Sequence, residues 1–195
     1  MEGGEFMSNS YITEKALADS IKKLMFSRSI NKITVKEVTD QCNINRRTFY
    51  NHFNDTYELL GWLYEHEVIE ELEQYYNLEG WKTAVRRVLS YTLDNKIICL
   101  NTFNSLGRDH LEKFLYDIFC DAFRGVIEDL TKEMDISREA KEEVARFFTI
   151  AIVGEFIIWL RDGLKEDPES ILERIDRMMT GTLDSIFSKN ENLLK

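Results

Sequence analysis

The segment Ile33-Thr34-Val35-Lys36-Glu37-Val38 constrains the fold more tightly than any other part of the chain. Thr34 and Glu37 have the Thr-x-x-Glu spacing of a capping box, in which each side chain satisfies a backbone N–H at a helix start. Ile33 and Val38 sit at the N′ and N4 positions of a hydrophobic staple that fixes the angle at which the chain enters that helix. Val35, Val38 and Cys42 extend the apolar face for about two turns, and Asn43 then supplies a residue that tolerates the left-handed conformation of a sharp turn. A further helix follows at once, with Asn45 as its cap and Ile44 with Phe49 as a second staple. Phe49 and Phe53, four apart, face inward; Arg46, Arg47, Tyr50 and Asn51 face outward, flanked by Thr48 and His52. Two short helices joined by a turn of about three residues form a helix-turn-helix, and its second helix carries the side chains that read base edges and phosphates.

Charge sharpens this reading. The net charge of −10 by itself argues against nucleic acid, but it is unevenly distributed. Residues 11–55 hold eight Lys/Arg against five acids, whereas the chain beyond residue 55 carries −11. A basic head precedes an acidic body, and outward Arg and Tyr on a short capped helix fit a nucleic-acid face better than a merely solvated one.

The remainder reads as helix. One Pro and nine Gly in 195 residues, with many Glu, Lys, Leu and Ile, favour an all-α fold. Thr13 is expected to cap a first helix with Leu17, Ile21, Leu24 and Met25 on one stripe. Asp55-Thr56-Tyr57-Glu58 opens a fourth helix carrying Leu59, Leu60, Leu63 and Tyr64, which links head to body. Helices are expected over 81–94, 96–105 and 109–133. Ser137 caps another that runs to Asp162 with Gly163 as its stop, and Asp167-Pro168 starts a last one running to about Phe187. The 137–162 helix is apolar nearly all round, which calls for a second packing partner; a copy of the chain supplies one. Met7 stands as a second start, and residues 1–10 are expected to be a leader outside the fold. Residues 11–55 then form the DNA-binding domain and 56–190 a regulatory and dimerisation domain.

Chemistry beyond binding finds little support. The chain lacks a Gly-rich phosphate loop, a Gly-x-Ser-x-Gly elbow and a His-Glu-x-x-His motif, so no catalytic residue, cofactor or metal is expected. His66 with Glu70 reads as a solvated pair and His110 beside Asp109 as a helix start. Cys42, Cys99 and Cys120 read as reduced core thiols, pointing to a cytoplasmic protein. No stretch approaches the roughly 18 apolar residues of a membrane span. The aromatic residues of the body are expected mainly as core, and no ligand pocket is assigned. A helical protein-binding adaptor would share the apolar closing helices but would not account for the basic head.

From Thr34 to Leu60 the chain resembles the TetR family of transcription regulators, the match being strongest over Asn45-Arg46-Arg47-Thr48-Phe49-Tyr50-Asn51-His52-Phe53. The resemblance implies DNA contacts at Asn45, Arg46, Arg47, Thr48, Tyr50, Asn51 and His52, with Thr34 and Thr56 at helix starts that hold phosphate. Two positions depart from the family pattern: Asn43 replaces the usual turn Gly, and Thr56 the usual Lys. Tyr11-Ile12-Thr13-Glu14-Lys15-Ala16-Leu17 and the run from Trp159 to Glu169 resemble the subgroup of dihydroxyacetone-kinase operon activators. That resemblance implies activation with a kinase-subunit-like co-regulator protein; a homodimer on an inverted-repeat operator is expected because a single headpiece holds few charges. A repressor released by a small molecule is the competing reading within the family.

Overall fold

A computed structural model describes residues 9–69 and 72–190. Ten α-helices follow in order among them: α1 Asn9–Met25, α2 Val35–Cys42, α3 Arg46–His52, α4 Thr56–Tyr64, α5 Trp81–Asp94, α6 Lys96–Phe103, α7 Arg108–Leu130, α8 Arg138–Arg161, α9 Pro168–Met179 and α10 Thr182–Asn190. Short 3₁₀ turns lie at Ile30–Lys32 and Glu73–Tyr75, and α4 runs on into a π-turn at Glu65–Ile69. No helix among the described residues is long and apolar enough to cross a membrane.

The described chain forms two compact units. One contains the residues up to Glu67 with Ile97–Leu111; the other contains Val68–Lys96 and the residues from Glu112 on. In space, therefore, α4 and α6 group with the three helices after which the sequence drew its boundary at residue 55. Most of the leader expected over residues 1–10 lies outside the described residues, while Asn9 and Ser10 already belong to α1. Thr13 is thus an internal residue of α1, where its hydroxyl donates to the Asn9 carbonyl at 3.0 Å instead of capping.

The first unit is organised on α1. Leu17, Ile21 and Met25 are fully buried, as are Val38, Phe49, Leu59 and Leu60 from α2, α3 and α4. Burying each such side chain contributes about 1.5–3 kcal/mol. Ser20 on α1 is buried too, and its hydroxyl donates to the Val38 carbonyl at 2.7 Å, which pins α2 to α1. Lys22 makes a bidentate ion pair with Glu67, at 2.8 and 2.7 Å. Tyr64, fully buried, shares a 2.8 Å hydrogen bond with Thr102 of α6, and the Asn101 amide donates to the Met25 carbonyl at 2.9 Å. His110 does more than start a helix: its ring stacks on Tyr57, 5.5 Å between centroids. His66 stacks on Trp62 at 3.8 Å, and its proposed companion Glu70 lies outside the described residues. All three cysteines are free; burial pushes the Cys99 thiol up to about 12.

The second unit packs α7 against α8 through aromatic pairs, Phe119 against Phe156 at 5.1 Å and Phe123 against Phe148 at 5.9 Å. Ion pairs Lys82–Asp176 and Arg86–Glu169 tie α5 to α9. Ser137 and Asp167 cap α8 and α9 as their sequences indicate, with Pro168 in the first turn of α9. Between them Gly163 and Leu164 both take left-handed backbone, with φ of 77° and 59°. The Leu164 N–H returns to the Trp159 carbonyl at 2.9 Å, and the Trp159 indole donates to the Glu166 carbonyl at 2.9 Å, so one tryptophan closes the turn from both sides. The last helix read from the sequence is in fact two. Its chain leaves the helical region at Thr180, and Gly181 follows at φ 80°, separating α9 from α10.

Candidate nucleic-acid interface

The capping box that opens α2 forms in full. The Thr34 hydroxyl accepts from the Glu37 N–H at 3.3 Å, and the Glu37 carboxylate accepts from the Thr34 N–H at 2.9 Å and hydroxyl at 2.8 Å. Arg28 adds a contact to the other carboxylate oxygen at 2.8 Å. These donors, the Thr34 N–H foremost, hold the Glu37 carboxyl well below its usual range, at about 2. Ile33 and Val38, the staple pair, are both buried. Asn43 ends α2 in the left-handed region at φ 54°, filling the role a Gly would otherwise take. Asn45 then caps α3, its side-chain oxygen accepting from the Arg47 N–H at 2.8 Å.

These local constraints aim α3. Phe49 is fully buried and packs edge-on to Tyr50 at 5.5 Å, so the ring that anchors the helix also braces the tyrosine beside it. On the opposite side Asn45, Arg46, Arg47, Tyr50 and Asn51 are exposed, Tyr50 by 53%, and Thr48 is half-buried at their edge. Two guanidinium groups, a phenol and an amide on one short helix give bidentate donors for guanine, a donor–acceptor pair for adenine and an apolar ring for thymine methyl groups.

Three predicted positions stand differently from this group. Thr34 is exposed, but its N–H and hydroxyl are already engaged by Glu37, so a phosphate there must compete with a carboxylate. His52 turns back towards α1: its Nδ1 lies 2.9 Å from a Glu14 carboxylate oxygen, and the side chain is 18% exposed. Thr56 is not presented on the α3 face at all. It is 8% exposed at the start of α4, where Asp55 does the capping by accepting from the Tyr57 and Glu58 N–H groups. Its burial leaves only the backbone for a phosphate contact. Glu14 and Ser10 are neighbours of this site that the sequence did not reveal, since nothing local links residues 38 and 42 positions apart.

Elsewhere, α8 exposes Phe147, Ile150 and Ile158, by 69%, 58% and 50%, and α9 exposes Met178 by 66%. A Cβ built on Gly154 would meet no atom of another element within 4 Å. Between α8 and α9 runs a mainly apolar groove of about 380 Å³ bordered by Phe147, Phe148, Ile152, Ile175 and Met178. Of the body's aromatic residues expected mainly as core, Tyr64, Phe103, Phe119 and Phe123 are buried, whereas Trp62, Tyr91 and Phe114 are half-buried.

Comparison with known proteins agrees with this architecture. Residues 79–181 match the TetR-type family model described as a transcriptional regulator C-terminal region. A curated relative, the HTH-type dhaKLM operon transcriptional activator DhaS of Lactococcus lactis subsp. lactis (strain IL1403), is 33% identical over 97 residues. That alignment spans half of this chain and about half, 52%, of the relative. Among solved structures, the dihydroxyacetone kinase operon activator DhaS superposes with a TM-score of 0.68 at 26% identity, covering 88% of this chain and 96% of its own. RolR without ligand, at 21% identity and TM-score 0.60 over 88% and 92% of the two chains, shares the fold. So does NalD, the secondary repressor of the MexAB-OprM multidrug efflux pump in Pseudomonas aeruginosa, at 14% identity and TM-score 0.59 over 88% and 96%. The all-α fold, the helix-turn-helix with its exposed α3 and the matched C-terminal region together show that the chain belongs to the TetR family of transcriptional regulators.

Proposed function

We propose that this regulator binds an inverted-repeat operator as a cytoplasmic homodimer and activates a dihydroxyacetone kinase operon together with a protein co-regulator. In this reading residues 11–55 are the DNA-binding domain and residues 56–190 the regulatory and dimerisation domain. Arg46, Arg47, Tyr50 and Asn51 read bases, while Asn45, Thr48, His52, Thr34 and the Thr56 backbone hold the phosphates. The observation that carries the DNA reading is the exposed polar face of α3, fixed in place by two caps and by buried Phe49. One short helix offers few charges, so two copies related by a two-fold axis are needed for a tight, salt-dependent complex. The exposed face of Phe147, Ile150, Ile158 and Met178 supports pairing through α8 and α9. The activator assignment leans on the likeness, in sequence and in structure, to DhaS.

A ligand-released repressor is the second reading, in which the apolar groove between α8 and α9 takes a small apolar molecule and pairing is confined to the part of the face around Ile150 and Ile158. Selecting bound duplexes from a random library, in parallel with a pull-down from lysate, separates the two. An inverted repeat recovered together with a protein identified as related to a kinase subunit supports the activator. An inverted repeat with no such protein, released by a small apolar compound, supports the repressor, and no enriched repeat at all contradicts both.

A further inference from the structure

Along α8 the side chains left outside the fold share one face. Phe147, Ile150, Ala151, Gly154 and Ile158, at i, i+3, i+4, i+7 and i+11, are all exposed, the three large ones by 69%, 58% and 50%. Glu143 and Arg161 continue this face at its two ends and are exposed as well. Neither side chain has a hydrogen bond or ion pair among the described residues, although Arg146 lies one turn on from Glu143. The face carries large apolar groups on both sides of a notch, and opposite charges at its ends.

The notch is a glycine with no reason inside the chain. Glycine weakens a helix interior relative to an ordinary residue, and a Cβ built on Gly154 would meet no neighbour within 4 Å. Gly61 has equally open space, but among the described residues α4 exposes no large apolar side chain around it. Ile150 and Gly154 are symmetric about the same midpoint of α8, Ile152, as are Glu143 and Arg161. An antiparallel copy related by a two-fold axis therefore satisfies both relations at once, with Ile150 over the partner's Gly154 and Glu143 beside the partner's Arg161. A parallel copy would set each of these charges against its own like.

We infer that α8 packs on α8 of a second copy in this antiparallel register, with Gly154 as the seat for the partner's Ile150 and the Glu143–Arg161 pairs selecting the register. The inference deepens, and rests on, the reading of the α8 and α9 face as the pairing surface.

Dimer dissociation, followed by fluorescence-detected sedimentation over a dilution series at low and high salt, tests it. Glu143→Arg and Arg161→Glu each turn two opposite-charge contacts into two like-charge ones, so each weakens the low-salt dimer about 5- to 30-fold, and high salt narrows the loss. The two reversals on one chain restore opposite pairing and bring dissociation back to within about threefold of wild type. Gly154→Leu fills the seat and weakens the dimer at least about tenfold. Added to a monomeric Phe147→Glu, Ile150→Glu chain, the same substitution raises the melting temperature, because leucine is the better helix former and meets no neighbour there. Single reversals that pair as wild type, a double reversal that fails to restore them, or a Gly154→Leu chain of wild-type affinity each overturn the inference. So does a lowered melting temperature for Gly154→Leu in the monomeric background, which marks a packing role inside the chain. The Phe147→Glu, Ile150→Glu chain reports separately on the underlying reading. If it stays dimeric, the pairing surface lies elsewhere and both fall; if it is monomeric while the other variants pair as wild type, the surface stands and the register is wrong.

Discussion

At the level of single residues, Glu37 shows how much organisation one side chain carries. Its carboxylate closes the capping box with Thr34 and pairs with Arg28, and its pKa falls from 4.5 to about 2. Because the folded value lies below the unfolded one, the stabilisation is present above pH 4.5 and disappears as the pH falls through 2. Glu37→Gln is therefore expected to melt at a lower temperature than wild type at pH 6, with the gap closing between pH 4.5 and pH 2; thermal denaturation followed by circular dichroism checks this. The side chain is exposed enough for solvent to screen the effect, so the gap is small. Thr34 and Asn45 were legible as caps because capping depends on residues two or three apart. The embrace of His52 by Glu14 and the burial of Thr56 were not, because both depend on tertiary packing between helices rather than on neighbours in sequence.

Among the helices, the ends were read well where a capping side chain or Pro marks them, as at Val35, Arg46, Arg138 and Pro168. They were misread where the signal was weaker. α1 is already helical at Asn9, ahead of the expected cap Thr13, and Gly181 separates α9 from α10 although the apolar pattern carries on to Leu183 and Phe187, both buried. Glycines inside helices show the same limit. Gly61 in α4 has no neighbour within 4 Å of a built Cβ, whereas one at Gly125 in α7 would lie 1.8 Å from the Tyr76 carbonyl oxygen. Nothing local in the sequence separates the two sites. Gly61→Ala is expected to stabilise by about 0.5–1 kcal/mol through helix propensity. Gly125→Ala must push two backbones apart and is expected to cost about 1–3 kcal/mol or prevent folding; urea unfolding of the two variants beside wild type measures both.

For the molecule as a whole, charge and apolar surface divide the labour. Residues 11–55 carry an excess of basic over acidic side chains within a chain of net charge −10, so the acidic remainder repels DNA and leaves the head as the favourable approach. The apolar α8 face was legible as an excess over what one core stripe needs, yet the sequence did not say which residues stay outside; the structure names Phe147, Ile150 and Ile158. Phe147→Glu with Ile150→Glu is expected to yield monomers in analytical ultracentrifugation and to weaken operator binding at least tenfold, since each head then binds alone. A double variant that remains dimeric places the pairing surface elsewhere. The central claim is that α3 reads the operator, and it is tested most directly by the affinity of Arg47→Ala and Tyr50→Ala for the selected inverted repeat at fixed salt. Losses of about 1–3 kcal/mol in each, with dimerisation and melting temperature unchanged, are the predicted result; wild-type affinity in both variants would contradict it.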